Sequence, residues 1–318
     1  MAILTVPTDA DVDALVAAYD LGDLRSFRGI EAGTVNSSYA LDLARGRYFL
    51  RIYEEQGHAG AGAEADLLVH LAEHGVPTPK PVRAKDGATV RTLAGKPAVL
   101  FPWVDGDMLC LRAVTHAAGR LVGAALARMH LAGTPEGSPL GAGRFGATDL
   151  AARCDRVATS KDPVAASKAE ELRAAITAAG KARRTDLPAG LVHGDLFRDN
   201  VLWHEGRIAA LLDFESAHLG PFAYDIVVMI LSWSFRDAPS FDLAVARSIV
   251  DGYRTVRDLG ANEREALYDE AIFGSLRFTI TRITDDAIRV GKKWQRFVER
   301  REAIESLGRA GLTEALFG

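Results

Sequence analysis

Leu191-Val-His-Gly-Asp-Leu-Phe-Arg-Asp-Asn-Val-Leu-Trp203 and, after a polar turn, Ala210-Leu-Leu-Asp-Phe-Glu215 place three oxygen-bearing side chains at the ends of short apolar runs. These are Asp195, Asn200 and Asp213. The apolar runs read as buried strands, and Glu205-Gly206 between them reads as a hairpin turn. A carboxylate on such a turn can take a proton. A second carboxylate and an amide oxygen are hard donors of the kind Mg²⁺ prefers.

Their order follows a phosphoryl-transfer template, H-R-D-x-x-x-x-N and then D-F-G. Here His193-Gly-Asp-x-x-x-x-Asn200 is followed thirteen residues later by Asp213-Phe-Glu. Asp195 is the expected base for an acceptor hydroxyl, and Asn200 and Asp213 are the expected metal ligands. His193 belongs to the same catalytic loop and is expected to pin it by hydrogen bonds. A lone H-G-D would be a chance set of turn residues; the Asn and the D-F-E in register make the pattern specific.

The rest of the chain is consistent with an enzyme of this kind. Its 318 residues suffice for two lobes with cores of their own. A net charge of −4 offers no basic footprint for nucleic acid. Cys110 and Cys154 do not suggest a disulfide framework. No signal peptide is visible, and the longest aliphatic run, Ile226 to Leu231, is too short to span a bilayer. A cytoplasmic protein is expected, with no membrane or nucleic-acid partner; the letters leave oligomeric state open.

Periodicity divides the chain. Residues 8 to 20 read as an amphipathic helix capped by Thr8 or Asp9. Ser37 to Leu43 and Arg47 to Tyr53 read as paired strands, and Ala61 to His74 as a helix ended by Gly75. Val90 to Leu93 and Pro97 to Trp103 read as two more strands. Beyond them, residues 114–132, 161–180, 221–235, 240–259 and 262–290 have helical spacing, and residues 190–214 are the only strand-like part. The expected fold is α+β and bilobal, protein-kinase-like: a small N-terminal sheet lobe (1–104, nucleotide-binding) and a larger, mainly helical C-terminal lobe (105–318, catalytic and substrate-binding).

The N-terminal half supplies further candidates for the nucleotide. Arg51 lies within the strand Tyr48-Phe-Leu-Arg-Ile-Tyr53, where a charge is costly without a partner. Glu64, opening the next helix, could pair with it and leave the guanidinium for phosphates; an outward edge position would equally fit the alternation. Gly29 to Tyr39 stands where a phosphate-covering loop belongs, with Gly33, Asn36 and Ser37 as its contacts. Leu100-Phe-Pro-Trp-Val104 could form an adenine hinge through Phe101 and Trp103, although an ordinary core strand has the same letters. His130, His204 and His218 lack metal-ligand spacing. Asp225 could stabilise a helix start or brace the His193 loop.

His193-Gly-Asp-Leu-Phe-Arg-Asp-Asn200 followed by Asp213-Phe resembles the aminoglycoside phosphotransferase and choline kinase superfamily, and within it the type II bacterial homoserine kinases. The narrower likeness lies in Gly29-Ile-Glu-Ala-Gly-Thr-Val-Asn-Ser-Ser-Tyr39, Leu50-Arg-Ile-Tyr-Glu54, Leu71-Ala-Glu-His-Gly-Val-Pro-Thr-Pro79 and Leu276-Arg-Phe-Thr-Ile-Thr-Arg282. Arg51 and Glu215 depart from that family's usual Thr and Tyr. The resemblance implies ATP and Mg²⁺ as cofactors and a small-molecule hydroxyl, that of L-homoserine, as acceptor. An amino-acid acceptor requires a cation for its carboxylate, with Arg198, Arg277 and Arg282 as candidates. It also requires an anion for its ammonium, with Asp199 and Glu215 as candidates. The rivals are a same-fold kinase for an aminoglycoside, choline, methylthioribose or an amino sugar, and a non-catalytic nucleotide-binding module.

Overall fold

A computed structural model describes residues 3–31, 35–235, 240–285 and 293–318. The chain divides into two units: residues 1–106 with 134–139 and 209–212, and the remainder.

The first unit is a five-stranded antiparallel sheet in the order β1-β2-β3-β5-β4. The strands are β1 (Leu24–Ile30), β2 (Ser37–Leu43), β3 (Gly46–Ile52), β4 (Val90–Leu93) and β5 (Lys96–Pro102), and the helices are α1 (Asp9–Ala17) and α2 (His58–Glu73). Thr8 opens α1 with a capping box to Asp11, satisfying backbone donors that the first turn leaves unpaired. Val12, Leu15 and Val16 of α1 pack with Leu41, Leu50, Ile52 and Leu100 of the central strands in one core.

The second unit is mainly helical. Its helices are α3 (His116–Ala132), α4 (Ala147–Ala158), α5 (Pro163–Ala166), α6 (Ala169–Ala182), α7 (Phe222–Trp233), α8 (Leu243–Arg254), α9 (Ala261–Thr284) and α10 (Gln295–Phe317). Short strands β6 (Asp107–Met108), β7 (Ala189–Val192), β8 (Val201–His204) and β10 (His218–Pro221) also lie in it, as do the first two residues of β9 (Arg207–Leu211); the short strands pair in the orders β6-β8-β9 and β10-β7. Helix α7 is apolar all round and buried along its length, which makes it the central post of the unit. The fold is thus the α+β arrangement expected, a small antiparallel-sheet lobe and a larger helical one.

Several expectations needed correction. The stretch 161–180 is two helices, broken at Ser167-Lys168 after a four-residue turn capped by Asp162. Glu64 lies in the middle of α2, not at its start. Residues 190–214 are not the only strands of the helical half, since β6 and β10 flank them. The helix predicted over 262–290 runs from Ala261 to Thr284, and residues 286–290 lie outside the described ones. Among the described residues no helix is long and apolar enough to cross a membrane.

Candidate active site

The segment from β7 to β8 is a loop whose backbone is fixed from several directions within the helical unit. Asp225, fully buried on α7, accepts the backbone N–H of His193 at 2.6 Å and that of Gly194 at 2.8 Å. Trp233 of the same helix donates its indole N–H to the Leu196 carbonyl at 3.1 Å. Asn200 donates its amide to the Asp195 carbonyl at 2.8 Å, which closes the loop on itself. Gly194 has φ +73°, and a Cβ there would stand 2.9 Å from the Ser216 carbonyl oxygen, so only glycine fits. His193 is buried, its ring 4.6 Å from that of Phe214, and its Nδ1 lies 3.4 Å from the Asp195 backbone nitrogen. The imidazole therefore packs beneath the loop, and the Asp195 side chain is left part-exposed above it.

Asp225 is itself braced. His130 of α3 meets it through Nε2 at 3.1 Å, and the other ring nitrogen lies 2.9 Å from the Tyr253 hydroxyl on α8. Tyr253 accepts from Arg257, which pairs with Glu263 at 2.9 Å. Burial alone would raise the Asp225 carboxyl, but the hydrogen bonds from His130 and the loop N–H groups outweigh it and hold it below the usual carboxylate range. Burial holds the His130 imidazole below its ordinary value, so a neutral ring donates its Nε2–H to Asp225 and accepts a hydrogen bond from the Tyr253 hydroxyl on Nδ1. Bracing of the His193 loop was one of two roles the sequence left open for Asp225. Its signal was present: it is the sole charge in Phe222–Trp233.

Asp213 follows β9 in a left-handed conformation (φ 62°, ψ 69°), one of three described non-glycine residues with positive φ. Strain of this sort persists where surrounding structure enforces it and is concentrated at functional sites. Phe214, next in the chain, is buried against His193, so Asp213 and the 193–200 loop share one packed base. Asn200 and Asp213 fit a hard divalent cation. The Asn200 amide nitrogen is engaged with Asp195, which leaves its oxygen, and a carboxylate with an amide oxygen is the donor chemistry Mg²⁺ takes alongside phosphate and water.

In the sheet unit Arg51 and Glu64 do meet, at 3.0 Å, both largely buried. Arg51 also lies over the rings of Tyr53 and Phe101, at 5.9 and 6.0 Å. Other expected nucleotide contacts are engaged differently. The buried Ser37 hydroxyl accepts from the backbone of Leu4 and Thr5 and donates to Glu54, so it anchors the N-terminal segment. The Asn36 side-chain oxygen accepts the Glu54 N–H at 3.1 Å. Phe101 is a buried strand residue whose ring is 6.2 Å from that of Phe49. Trp103 is half-buried under the Arg47 guanidinium, 3.6 Å away, with its indole N–H on Asp105. Gly33 lies outside the described residues.

The candidate acceptor residues separate. Arg277 is buried on α9, its NH1 3.2 Å from the Gly194 carbonyl oxygen and 3.7 Å from Asp195 Oδ1. Arg198 turns to the Leu109 carbonyl at 2.8 Å, and burial lowers its guanidinium pKa. Arg282 is buried with its guanidinium 5.6 Å from the Phe197 ring. Asp199 is exposed in the turn after Arg198, and Glu215 is half-exposed beside Phe214. His218, absent from the expected site, packs its ring against Gly194.

Comparison with known proteins gives this geometry a context. A model of the phosphotransferase enzyme family matches residues 26–259. A homoserine kinase of Acidiphilium cryptum is 37% identical over 286 residues, 90% of this chain and 89% of that protein. One of Mesorhizobium japonicum is 37% identical over 290 residues, 90% and 88% of the two chains. Among solved structures, an amicoumacin kinase in complex with AMP-PNP, Ca²⁺ and Ami superposes with a TM-score of 0.69 at 18% identity, covering 94% of each chain. A choline kinase of Cryptosporidium parvum gives a TM-score of 0.67 at 11% identity, covering 98% of this chain and all of its own. The structural likenesses show the fold; the identity to the first two proteins runs through both units.

Proposed function

The chain belongs to the phosphotransferase enzyme family, and from that premise we propose that it transfers the γ-phosphate of ATP to the side-chain hydroxyl of L-homoserine, giving O-phospho-L-homoserine. The observation that carries the acceptor is sustained identity: relatives named homoserine kinases align at 34–37% over about nine-tenths of this chain.

In this reading the acceptor oxygen bonds to the γ-phosphorus as the bond to the β–γ bridging oxygen breaks. The hydroxyl proton passes to the Asp195 carboxylate, and ADP leaves. Asp195 suits this role because its backbone is fixed by Asn200 and by the Asp225-bound turn while its carboxylate stays accessible. Asn200 and Asp213 would hold Mg²⁺, which would supply neutralisation of phosphate charge. Arg51, aimed by Glu64, serves the non-transferred phosphates; a guanidinium stays charged at any working pH. His193 does no chemistry and supports the loop.

The test is ADP release measured with L-homoserine, choline, an aminoglycoside, methylthioribose and an amino sugar as acceptors. L-homoserine is expected to lead in kcat/KM by roughly a hundredfold or more, since a site built on polar contacts discriminates strongly against molecules that leave them unpaired. Turnover of another alcohol with none of homoserine would overturn the assignment.

A further inference from the structure

Resting on the homoserine reading, we propose that Arg277 binds the α-carboxylate of the acceptor, so that the anion site and the base stand side by side. Arg277 is only 4% exposed. Its NH1 reaches the Gly194 carbonyl, and the Asp195 carboxylate is 3.7 Å away, beyond hydrogen-bond length. Its Nε makes no hydrogen bond among the described residues. Phe278 and Phe145 lie 3.8 and 4.4 Å from the guanidinium carbon. Aromatic faces attract the cation but leave its in-plane N–H donors unused.

Two other arginines of the same unit show how such a charge is ordinarily settled. Arg183 grips Glu270 through Nε at 2.9 and 3.0 Å and NH2 at 2.8 Å, and Arg257 meets Glu263 at 2.9 Å. Among the described residues, the ion pair Arg277 makes with Asp195 is longer, at 3.7 Å. A buried guanidinium whose Nε donor goes unused is costly, and a carboxylate arriving with a ligand satisfies it.

The dimensions agree with the substrate class. Four bonds separate the hydroxyl oxygen of homoserine from its carboxyl carbon, a reach of at most about 5 Å. A molecule that short can touch Asp195 and Arg277 together only because the two side chains are neighbours. An amino alcohol without the carboxylate would reach Asp195 and leave Arg277 unpaired. Selection of an amino acid over a simple amino alcohol follows from that difference.

The experiment compares L-homoserine with 3-aminopropan-1-ol, the same molecule without its carboxylate, in the wild type and in Arg277→Ala, Arg277→Met and Arg277→Lys. Melting temperature and nucleotide affinity are measured for each to identify a misfolded variant. The neutral variants are expected to lose about a hundredfold in kcat/KM for homoserine and less than threefold for aminopropanol, with homoserine affinity by calorimetry falling in parallel. Lysine, a point charge without the planar fork, is expected to recover part of the loss, mainly in KM. If homoserine and aminopropanol lose equally, Arg277 acts by positioning Asp195 and the assignment is overturned. Unchanged homoserine kinetics overturn it as well. Absence of homoserine turnover in the wild type is a different result, which removes the functional reading and this one with it.

Discussion

At the scale of single residues the site depends on where charge is allowed to stay accessible. Asp225 is wholly buried and ringed by donors, whereas Asp195 keeps a part-exposed carboxylate over a backbone held on both sides. One carboxylate is a brace, and the other is the proposed base. Asp195→Asn keeps size and hydrogen-bonding capacity but removes the basic oxygen. It is expected to lower kcat by about 10² or more while nucleotide affinity stays within about threefold. Single-turnover phosphorylation and nucleotide titration on the same preparation check this. Loss of less than about threefold in rate would move the base elsewhere. The loop that carries Asp195 and Asn200 and the turn that carries Asp213 were legible because their spacing is local. The roles of Ser37 and Trp103 were not, because Leu4, Thr5, Glu54 and Arg47, which engage them, are distant in sequence or on another strand. His218 was unremarkable as a letter and is placed against Gly194 only by the pairing of β10 with β7.

At the scale of elements, the brace on the 193–200 loop depends on how closely α3 and α8 approach. Glycines make that approach possible. A Cβ on Gly123 would overlap the Ile249 carbonyl and stand 2.9 Å from the Tyr253 nitrogen, and one on Gly252 would overlap the backbone of Arg120. The same two helices carry His130 and Tyr253, which meet on the way to Asp225. Gly123→Ala must therefore push the helices apart, because backbone cannot rotate away as a side chain can. The expected cost is about 3 kcal/mol, at the upper end of overpacking effects, together with lower kcat at temperatures where the variant is still folded. Gly62→Ala on α2, where a Cβ meets nothing within 4 Å, should instead be neutral or stabilising by up to about 1 kcal/mol. Urea unfolding of both variants provides the comparison, and equal stability of the two would contradict the close-packing account. Element legibility follows similar physics. β2 and β4 have the bounds read from their letters. β1 escaped notice because it is an edge strand whose Arg25 and Arg28 face solvent, which erases the apolar alternation. α10 escaped because its buried residues, Phe297, Arg300, Ile304, Leu312 and Leu316, are sparse and Gly308 kinks the helix between them.

At the scale of the whole molecule, two opposing effects act when the pH falls, and their balance is predictable in sign. The chain carries a net charge of −4 with neutral histidines, so mild acidification lowers overall self-repulsion and on that account should stabilise the folded state. The buried imidazoles act the other way. Burial holds His130 and His218 below the ordinary histidine range; for His130 it does so against the pull of Asp225, and for His218 against its bond to the Ser216 carbonyl. In the unfolded chain both titrate near about 6.5. Between that value and their lower folded values the unfolded state binds more protons. Stability must then fall as pH decreases, by up to about 1.4 kcal/mol per pH unit for each imidazole. The Asp225 contribution is intact above the unfolded carboxylate value of about 3.9 and is lost only as pH falls through its still lower folded value, so it does not act in this window. Surface charges are screened by salt at ordinary ionic strength, whereas buried imidazoles are not. The second effect should therefore win: the urea midpoint is expected to fall between pH 7.5 and 5.5 in 0.15 M salt. His218→Gln, which cannot titrate, should flatten that slope relative to the wild type. A midpoint independent of pH over this range would mean that the folded protein protonates these imidazoles as readily as the unfolded chain, and that the neutral His130 at the foot of the 193–200 loop is wrongly assigned.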